Sequence, residues 1–426
     1  MAVILCLCLF ISENHAQDNS SNFRFGFTER TRFVTWDNAI TLSDAADAGN
    51  TFTRHRTSIW GDWRPMDNLQ FYAKFTNEFR YYFKPDNRDF DIHEIIFDNL
   101  YVKFTPSPSI PVTLTLGRQN IILGEGFVVM DGHPLDGSRS IYFNAARADV
   151  KLSNNDNLIL FYTYQPTTDD ILPLINDKNQ ALVEKPETGI GIYYQTKFDN
   201  SLSLHAYVIN KKVDTTAIDS VEEKFNTFGA RVNFPLTENI SLTAEAAYQN
   251  GTTGSNNRNS YGGYAYLDYS TGFAVPLPKK VSAGVITLSG DDSSTKDVEG
   301  WDPIFSRWPK WSESYIYTQI LENGGKVAYW SNFISIYGKL FFDISDMFNL
   351  DVHYHHMLSQ YEMPSTSLLA SGGGTTRGDL FIAKLNAAID THLTGHILLE
   401  HFMPGNFYTP SADGYTWFRC ELMYNL

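Results

Sequence analysis

Apolar and polar residues alternate with period two along most of the chain. At its end, Phe418, Cys420, Leu422, Tyr424 and Leu426 share one parity, against Trp417, Arg419, Glu421, Met423 and Asn425. Ile240, Leu242, Ala244, Ala246 and Tyr248 do the same against Ser241, Thr243, Glu245, Ala247 and Gln249, and Phe228, Ala230, Val232 and Phe234 against Thr227, Gly229, Arg231 and Asn233. Phe23, Phe25 and Phe27 alternate with Arg24, Gly26 and Thr28. Successive side chains of a strand point to opposite faces, so the pattern predicts strands with one apolar and one polar face. Eighteen are expected, near 22–36, 51–64, 69–84, 92–105, 111–122, 140–152, 157–165, 187–198, 201–211, 225–235, 239–249, 260–274, 278–290, 326–339, 346–358, 377–390, 392–403 and 415–426. Most reach the about 9–11 residues that a tilted transmembrane strand needs.

The connections add a second rhythm. Those after even-numbered strands are short and rich in turn formers, such as Pro65-Met66-Asp67-Asn68, Ser153-Asn154-Asn155-Asp156 and Asp199-Asn200. Those after odd-numbered strands are mostly longer: 37–50, 123–139, 166–186, 212–224, 291–325, 359–376 and 404–414. Short periplasmic turns alternating with long external loops organise an outer-membrane barrel. The expected fold is therefore all-β, a transmembrane antiparallel up-and-down β-barrel of about 18 strands. A soluble sandwich would not alternate loop lengths in this way, and a propeller would show a blade repeat.

Composition agrees with strands. Of 426 residues, 24 are Tyr and 30 Phe, while charged residues make up only 19%. Residues 1–16 resemble a secretory signal, with an apolar run Ala2–Ile11 too short to span a bilayer and Ala16 as the cleavage point. No Lys or Arg precedes that run, which departs from the usual pattern. Residues 17–426 would then form the barrel and keep one cysteine, Cys420, so no intrachain disulfide is expected.

Charge divides by parity. The net charge is −15, yet acids crowd the expected loops, for example Asp44, Asp47, Asp169, Asp170, Asp291, Asp292 and Glu299. Inward positions are richer in bases: Arg24, Arg30, Arg32, Arg54, Arg56, Lys74, Arg80, Arg147, Arg231, Lys384 and Arg419, against Glu78, Asp149, Glu245, Asp268, Glu400 and Glu421. Lys or Arg facing lipid at mid-membrane would cost about 2–4 kcal/mol each, which forces them inward. Rings of bases select anions, although interlocked Arg–acid pairs also serve structure in any barrel. Arg118 breaks the rule: its parity is that of Val112, Leu114 and Leu116, so either a bulge near Gly117 or the end of the membrane span is expected there.

Residues 117–147, GRQNIILGEGFVVMDGHPLDGSRSIYFNAAR, resemble the alginate-export family of bacterial outer-membrane porins. The matching features are Gly117-Arg118-Gln119, Gly124-Glu125-Gly126 and the closing Arg147, followed by Leu288–Asp292, Trp301–Phe305, Pro404–Tyr408 and the final FRCELMYNL. The last residue, Leu426, stands where such a strand usually ends in an aromatic. The resemblance implies an eighteen-stranded monomeric barrel with an arginine-lined constriction that passes an anionic polyuronate. Arg118 and Arg147 carry over by motif.

The expected function is a passive channel for anionic polysaccharide, with export favoured by the resemblance. Arg30, Arg32, Arg54, Arg56, Arg118 and Arg147 would attract and transiently hold the anion, and loops such as 123–139 and 291–325 would gate or constrict. Outer-membrane lipids, small anions and periplasmic export components are expected partners, and nucleic acid is not. A general porin or uptake channel is one alternative, and an outer-membrane hydrolase is another. Asp131–Ser138 holds Asp, His and Ser but reads as a Gly/Pro-rich loop. His353 and His355 share a face and could ligate a metal only with a third donor. Gly372–Asp379 lacks the Lys-Ser/Thr of a phosphate loop. No cofactor is expected beyond Ca²⁺ on the carboxylates of Gly290–Glu299, whose spacing is not that of an EF-hand.

Overall fold

The computed structural model describes residues 22–88, 94–107, 110–130, 142–199, 201–307, 310–326 and 328–426. The expected leader over 1–16 and the Asp131–Ser138 loop lie outside them. The described residues form one eighteen-stranded sheet closed on itself. In chain order the strands are β1 (Phe23–Trp36), β2 (Asn50–Met66), β3 (Leu69–Lys84), β4 (Ile95–Phe104), β5 (Val112–Gln119), β6 (Phe143–Lys151), β7 (Asp156–Gln165), β8 (Glu187–Lys197) and β9 (Ser203–Val213). The second half holds β10 (Glu223–Pro235), β11 (Ile240–Thr253), β12 (Asn256–Ser270), β13 (Lys280–Leu288), β14 (Phe333–Asp343), β15 (Phe348–Leu358), β16 (Thr376–Ala388), β17 (Leu393–Pro404) and β18 (Tyr415–Asn425). Each strand pairs antiparallel with its sequence neighbours, and β1 pairs with β18, so no edge is left open.

The burial pattern is inverted relative to a soluble protein. Ile59, Ile192, Ile336 and Leu422 are half exposed, while Arg30 and Arg32 are only 1% exposed. Exposed apolar residues face lipid, and charged residues fill the lumen. No helix among the described residues is long and apolar enough to cross a membrane, and the strands span it instead.

The core lies inside the barrel. Ile121, Leu123, Phe127, Val128 and Val129 from the β5–β6 connection cluster with Trp301, Ile304 and Phe305 from the β13–β14 connection. Val129 bridges Phe305 in parallel, with Phe305 N donating to Val128 O at 3.1 Å and Met130 N to Phe305 O at 3.0 Å. Phe127 stacks on Trp301 at 5.3 Å. Further along the same connection, a two-turn helix, α1 (Tyr315–Glu322), packs against the opposite wall, where Tyr317 stacks on Trp36 at 4.8 Å.

Three elements differ from the sequence expectation. The strand expected at 326–339 begins only at Phe333, because Trp330 is buried against Trp311 and Phe333 within the lumen segment. Alternation through Ala328, Tyr329 and Trp330 imitates a strand that the packing does not allow. Residues 250–259, left between the expected eleventh and twelfth strands, form a two-residue hairpin, Gly254-Ser255, with the polar residues 250–253 paired to 256–259. Gly254 has φ +59, which glycine adopts at no steric cost in a tight hairpin. The connection from β12 to β13, expected to be short, takes residues 271–279.

Candidate functional site

β1 and β2 place four arginines on one inward face. Their register sets Arg30 opposite Arg56 and Arg32 opposite Arg54. Like charges directly opposite repel, so the arrangement requires interleaved acids. Glu78 on β3 supplies one: its two oxygens accept from Arg54 Nε and Arg56 Nε, each at 2.8 Å, and Arg30 lies 3.7 Å away. Glu421 on β18 supplies another, bonded to Arg32 Nε and 4.0 Å from Arg30. Arg419, also on β18, donates to Glu313 at 3.0 Å and to His396 Nε2 at 2.9 Å. Five guanidiniums thus face three carboxylates across the seam where the barrel closes.

Glu313 belongs to the lumen segment, just before α1. Burial alone would raise its carboxyl, but the Arg419 and Arg32 guanidiniums outweigh that and hold it below the ordinary range. The start of α1 is fixed by Glu400 on β17, which accepts from Glu313 N at 2.9 Å, Ser314 N at 3.0 Å and the Ser312 and Ser314 hydroxyls. A carboxylate there satisfies the N–H groups that a helix start leaves unpaired. The far end of α1 is held by Arg377, which grips Glu322 at 2.5 and 2.7 Å.

The opposite wall grips the same segment. Lys211 on β9 reaches Asp302 at 3.2 Å and Ile304 O at 3.0 Å, and Gln249 on β11 donates to Asp302 O at 2.7 Å. Burial alone would raise the Asp302 carboxyl, but Lys211 and Arg258 hold it below the usual carboxylate range. Arg231 on β10 pairs with Glu125 of the first lumen segment at 2.6 Å. Lys310 donates to Glu125 O. Burial pushes the Lys310 amine down to about 8, against the opposing pull of Glu125 and Glu245.

Arg118 and Arg147 stand apart from this cluster and from each other. Arg147 on β6 makes a two-point contact with Asp149 at 2.6 and 2.9 Å and keeps 22% of its side chain exposed. Arg118 is the penultimate residue of β5, and the β5–β6 register runs unbroken through Gly117. Its guanidinium is enclosed by Asp169 at 2.5 and 3.0 Å, Phe97 O at 2.8 Å and Asn144 at 2.9 Å, with the Tyr142 ring 3.7 Å away. A register shift on this wall lies between Lys74 and Phe75, in the β3–β4 pair.

Sequence parity identified Arg419, Glu78, Glu400 and Glu421 as inward, but it could not show what they bind. Glu313, Glu322 and Asp302 lie in a non-periodic segment, so alternation gives no signal for them. His353 and His355 are inward on β15, with His355 bonded to Ser335 at 3.0 Å, while His356 pairs with Asp379 at 2.8 Å on the outer face. Carboxylates of the acid-rich loop bond their own backbone, as Asp291 does to Glu299 N at 2.7 Å and Asp292 to Ser294 N at 2.9 Å. Among the described residues, no group of three or more His, Cys, Asp or Glu side chains is arranged to hold a metal ion.

No curated protein matches the chain. Solved structures share its architecture at low identity. OccAB4 of Acinetobacter baumannii matches with TM-score 0.62 at 11% identity, over 95% of this chain and 98% of that one. OpdQ of Pseudomonas aeruginosa matches with TM-score 0.62 at 13% identity, over 95% and 99%. OccK2 (OpdF) of Pseudomonas aeruginosa, solved in complex with glucuronate, matches with TM-score 0.58 at 10% identity, over 95% and 98%. The family model described as Alginate export matches residues 21–419. With that match over nearly the whole barrel, the chain belongs to the alginate-export family of outer-membrane β-barrel channels.

Proposed function

We propose that the protein is a passive channel through which an anionic polysaccharide leaves the cell. The observation that carries this reading is the inward cluster of five guanidiniums against three carboxylates, within which Arg30, Arg32, Arg54 and Arg56 share Glu78 and Glu421. A net-positive wall in a narrowed lumen raises the local anion concentration and lowers the barrier to anion passage. Arg147 adds a partly exposed charge further along the wall. Arg118, with two nitrogens already on Asp169, holds the 166–186 loop at the rim in this reading. OccK2, a barrel of the same architecture, was solved with glucuronate, and a polyuronate is a chain of such groups. The lumen and its charge cluster are complete within one chain, so the barrel works as a monomer that receives polymer from periplasmic export components.

Passage of single small anions is the second reading. It is favoured by the segments 120–130, 289–307 and 310–326, which fold across the lumen. The test is the reversal potential of the refolded protein in a planar bilayer under a salt gradient, followed by titration with a monomeric uronate and with polyuronates. Anion preference with block by long chains supports export of polymer. Block by the monomer alone supports the second reading, and cation preference overturns both.

A further inference from the structure

We propose that the lipid-facing wall of β1–β3 binds one molecule of the outer leaflet's glycolipid, the amide-linked hydroxyacyl anchor of lipopolysaccharide. Its amide and hydroxyl groups meet Glu29, His55 and Thr57, and one of its acyl chains fills a hollow below them. The inference is independent of what the lumen carries.

A polar patch lies on the face of the sheet that meets hydrocarbon. Arg30, Arg32, Arg54 and Arg56 point into the lumen, so Glu29, Thr31, His55 and Thr57, at the alternate positions of the same strands, point outward. In register, Glu29 lies opposite Thr57 and Thr31 opposite His55. The Glu29 carboxylate accepts from the Thr31 hydroxyl at 3.4 Å and from the Thr57 hydroxyl. Both ring nitrogens of His55 lie 3.2 Å from a hydroxyl, Nδ1 from Thr31 and Nε2 from Thr53, and the ring stacks on Phe79 at 4.8 Å. Apolar residues bound the patch at both ends. Phe25, Ile59 and Phe75 are exposed on the turn side, and Phe33, Tyr81 and Phe83 on the loop side. Two other outward polar pairs, Asn210 with Asn226 and His356 with Asp379, lie within three residues of a strand end.

A carboxylate facing lipid is destabilising unless donors reach it. It offers about four acceptor positions, and among the described residues Glu29 fills two, with His55 as its single ionic partner at 3.9 Å. The Glu29 side chain keeps 30% of its surface exposed. The remaining positions call for N–H or O–H donors at the depth of the patch. Glu29, Thr57 and Asn77 each lie seven residues from the loop end of their strands, and His55 five, which puts the patch below the external interface. Ester-linked phospholipids carry only acceptors where their chains join the headgroup. An amide-linked hydroxyacyl chain carries an N–H and an O–H there.

The hollow adjoins the patch on the turn side. Gly61 and Ala73 pair across β2 and β3 and leave a space of about 740 Å³ walled by Phe25, Ile59, Trp63, Phe71 and Phe75. Ile59 and Phe75 stand two residues from Thr57 and Asn77. A lipid whose linkage sits on Glu29 therefore reaches the hollow with its chain directed away from the loops, as an outer-leaflet chain is.

The test is native mass spectrometry of the refolded, full barrel with lipid A and, separately, with phosphatidylethanolamine. The expected result is one retained lipid A, at an affinity about tenfold or more above that for phosphatidylethanolamine. Glu29→Leu/Thr57→Val makes the patch apolar, and Gly61→Leu/Ala73→Leu fills the hollow. Each should lower lipid A affinity about tenfold or more. An unchanged reversal potential in simple salt shows that the variants have folded, because none of the four positions faces the lumen. Equal retention of the two lipids by the wild type overturns the amide-linked assignment. Unchanged retention in one folded variant removes that half of the site. Unchanged retention in both, or none by the wild type, overturns the site. A dimer that Glu29→Leu/Thr57→Val dissociates gives the patch to a second copy of the chain and overturns the lipid.

Discussion

Arg377 and Glu322 meet in a two-point ion pair inside the barrel, with the two side chains 0% and 2% exposed. The pair joins β16 to the end of α1, and Tyr315 and Asn332 O complete the arginine's contacts at 2.9 and 2.7 Å. Removing one member of such a pair strands a buried charge, at a cost of about 3–5 kcal/mol. Glu322→Ala should therefore release α1 from the wall, raise single-channel conductance and expose the 289–332 segment to protease. Arg377→Met/Glu322→Leu, which removes both charges, should behave closer to the native protein. Equal behaviour of single and double variants would count against the pair as a tether.

Arg54 and Arg56 share the two oxygens of Glu78. Unit charges about 4 Å apart interact by about 1 kcal/mol even at the dielectric of bulk water. Loss of both charges should therefore lower the anion-to-cation permeability ratio by about tenfold or more. The measurement is the reversal potential of Arg54→Gln/Arg56→Gln beside the wild type. An unchanged ratio would remove these residues from the mechanism.

Arg118 offers a contrast. Arg118→Ala removes a two-point contact that ties Asp169 to the end of β5 and should loosen the 166–186 loop. The expected readout is faster proteolysis within that loop, with the permeability ratio unchanged. A fall in anion preference equal to that of the Arg54/Arg56 variant would return Arg118 to the conducting path.

Lys310 gives the lumen a pH dependence. Burial lowers its amine to about 8 from an ordinary 10.5, so it is charged below pH 8 and neutral above. Raising the pH from 7 to 9 should therefore remove one positive charge beside Glu125 and reduce anion preference, with a midpoint near 8. The sign for stability follows from linkage. Between about 8 and 10.5 the unfolded chain binds more protons, so the burial penalty is full below 8 and relieved as pH rises through that window. Reversal potentials measured across this range should show the transition in the wild type and lose it in Lys310→Met.

Much of the barrel was legible because two solvents, lipid outside and water inside, impose period two on each strand. Parity alone placed Arg30, Arg32, Arg54 and Arg56 on one face. It failed where that environment ends. The segment through Asp302, Glu313 and Glu322 is surrounded by side chains on every side, so no period marks its eight-residue helix. Asn250–Thr253 and Asn256–Asn259 are polar on both faces, so they read as loop although their backbones pair. Arg118 was a visible misfit, but its partner Asp169 lies 51 residues away in a loop whose path the sequence does not reveal.

The seam between β1 and β18 bears on how the barrel is made. Arg32 and Glu421 are separated by 389 residues and become neighbours only when the first and last strands meet. Until then the leading edge of the sheet carries Arg30 and Arg32 without the carboxylate that the final strand brings. An unfinished barrel therefore keeps charges at its border that make entry into lipid unfavourable. Completion neutralises part of that charge and turns what remains inward. The arginines that attract the anion in this reading thus gain Glu421 only once the first and last strands have met.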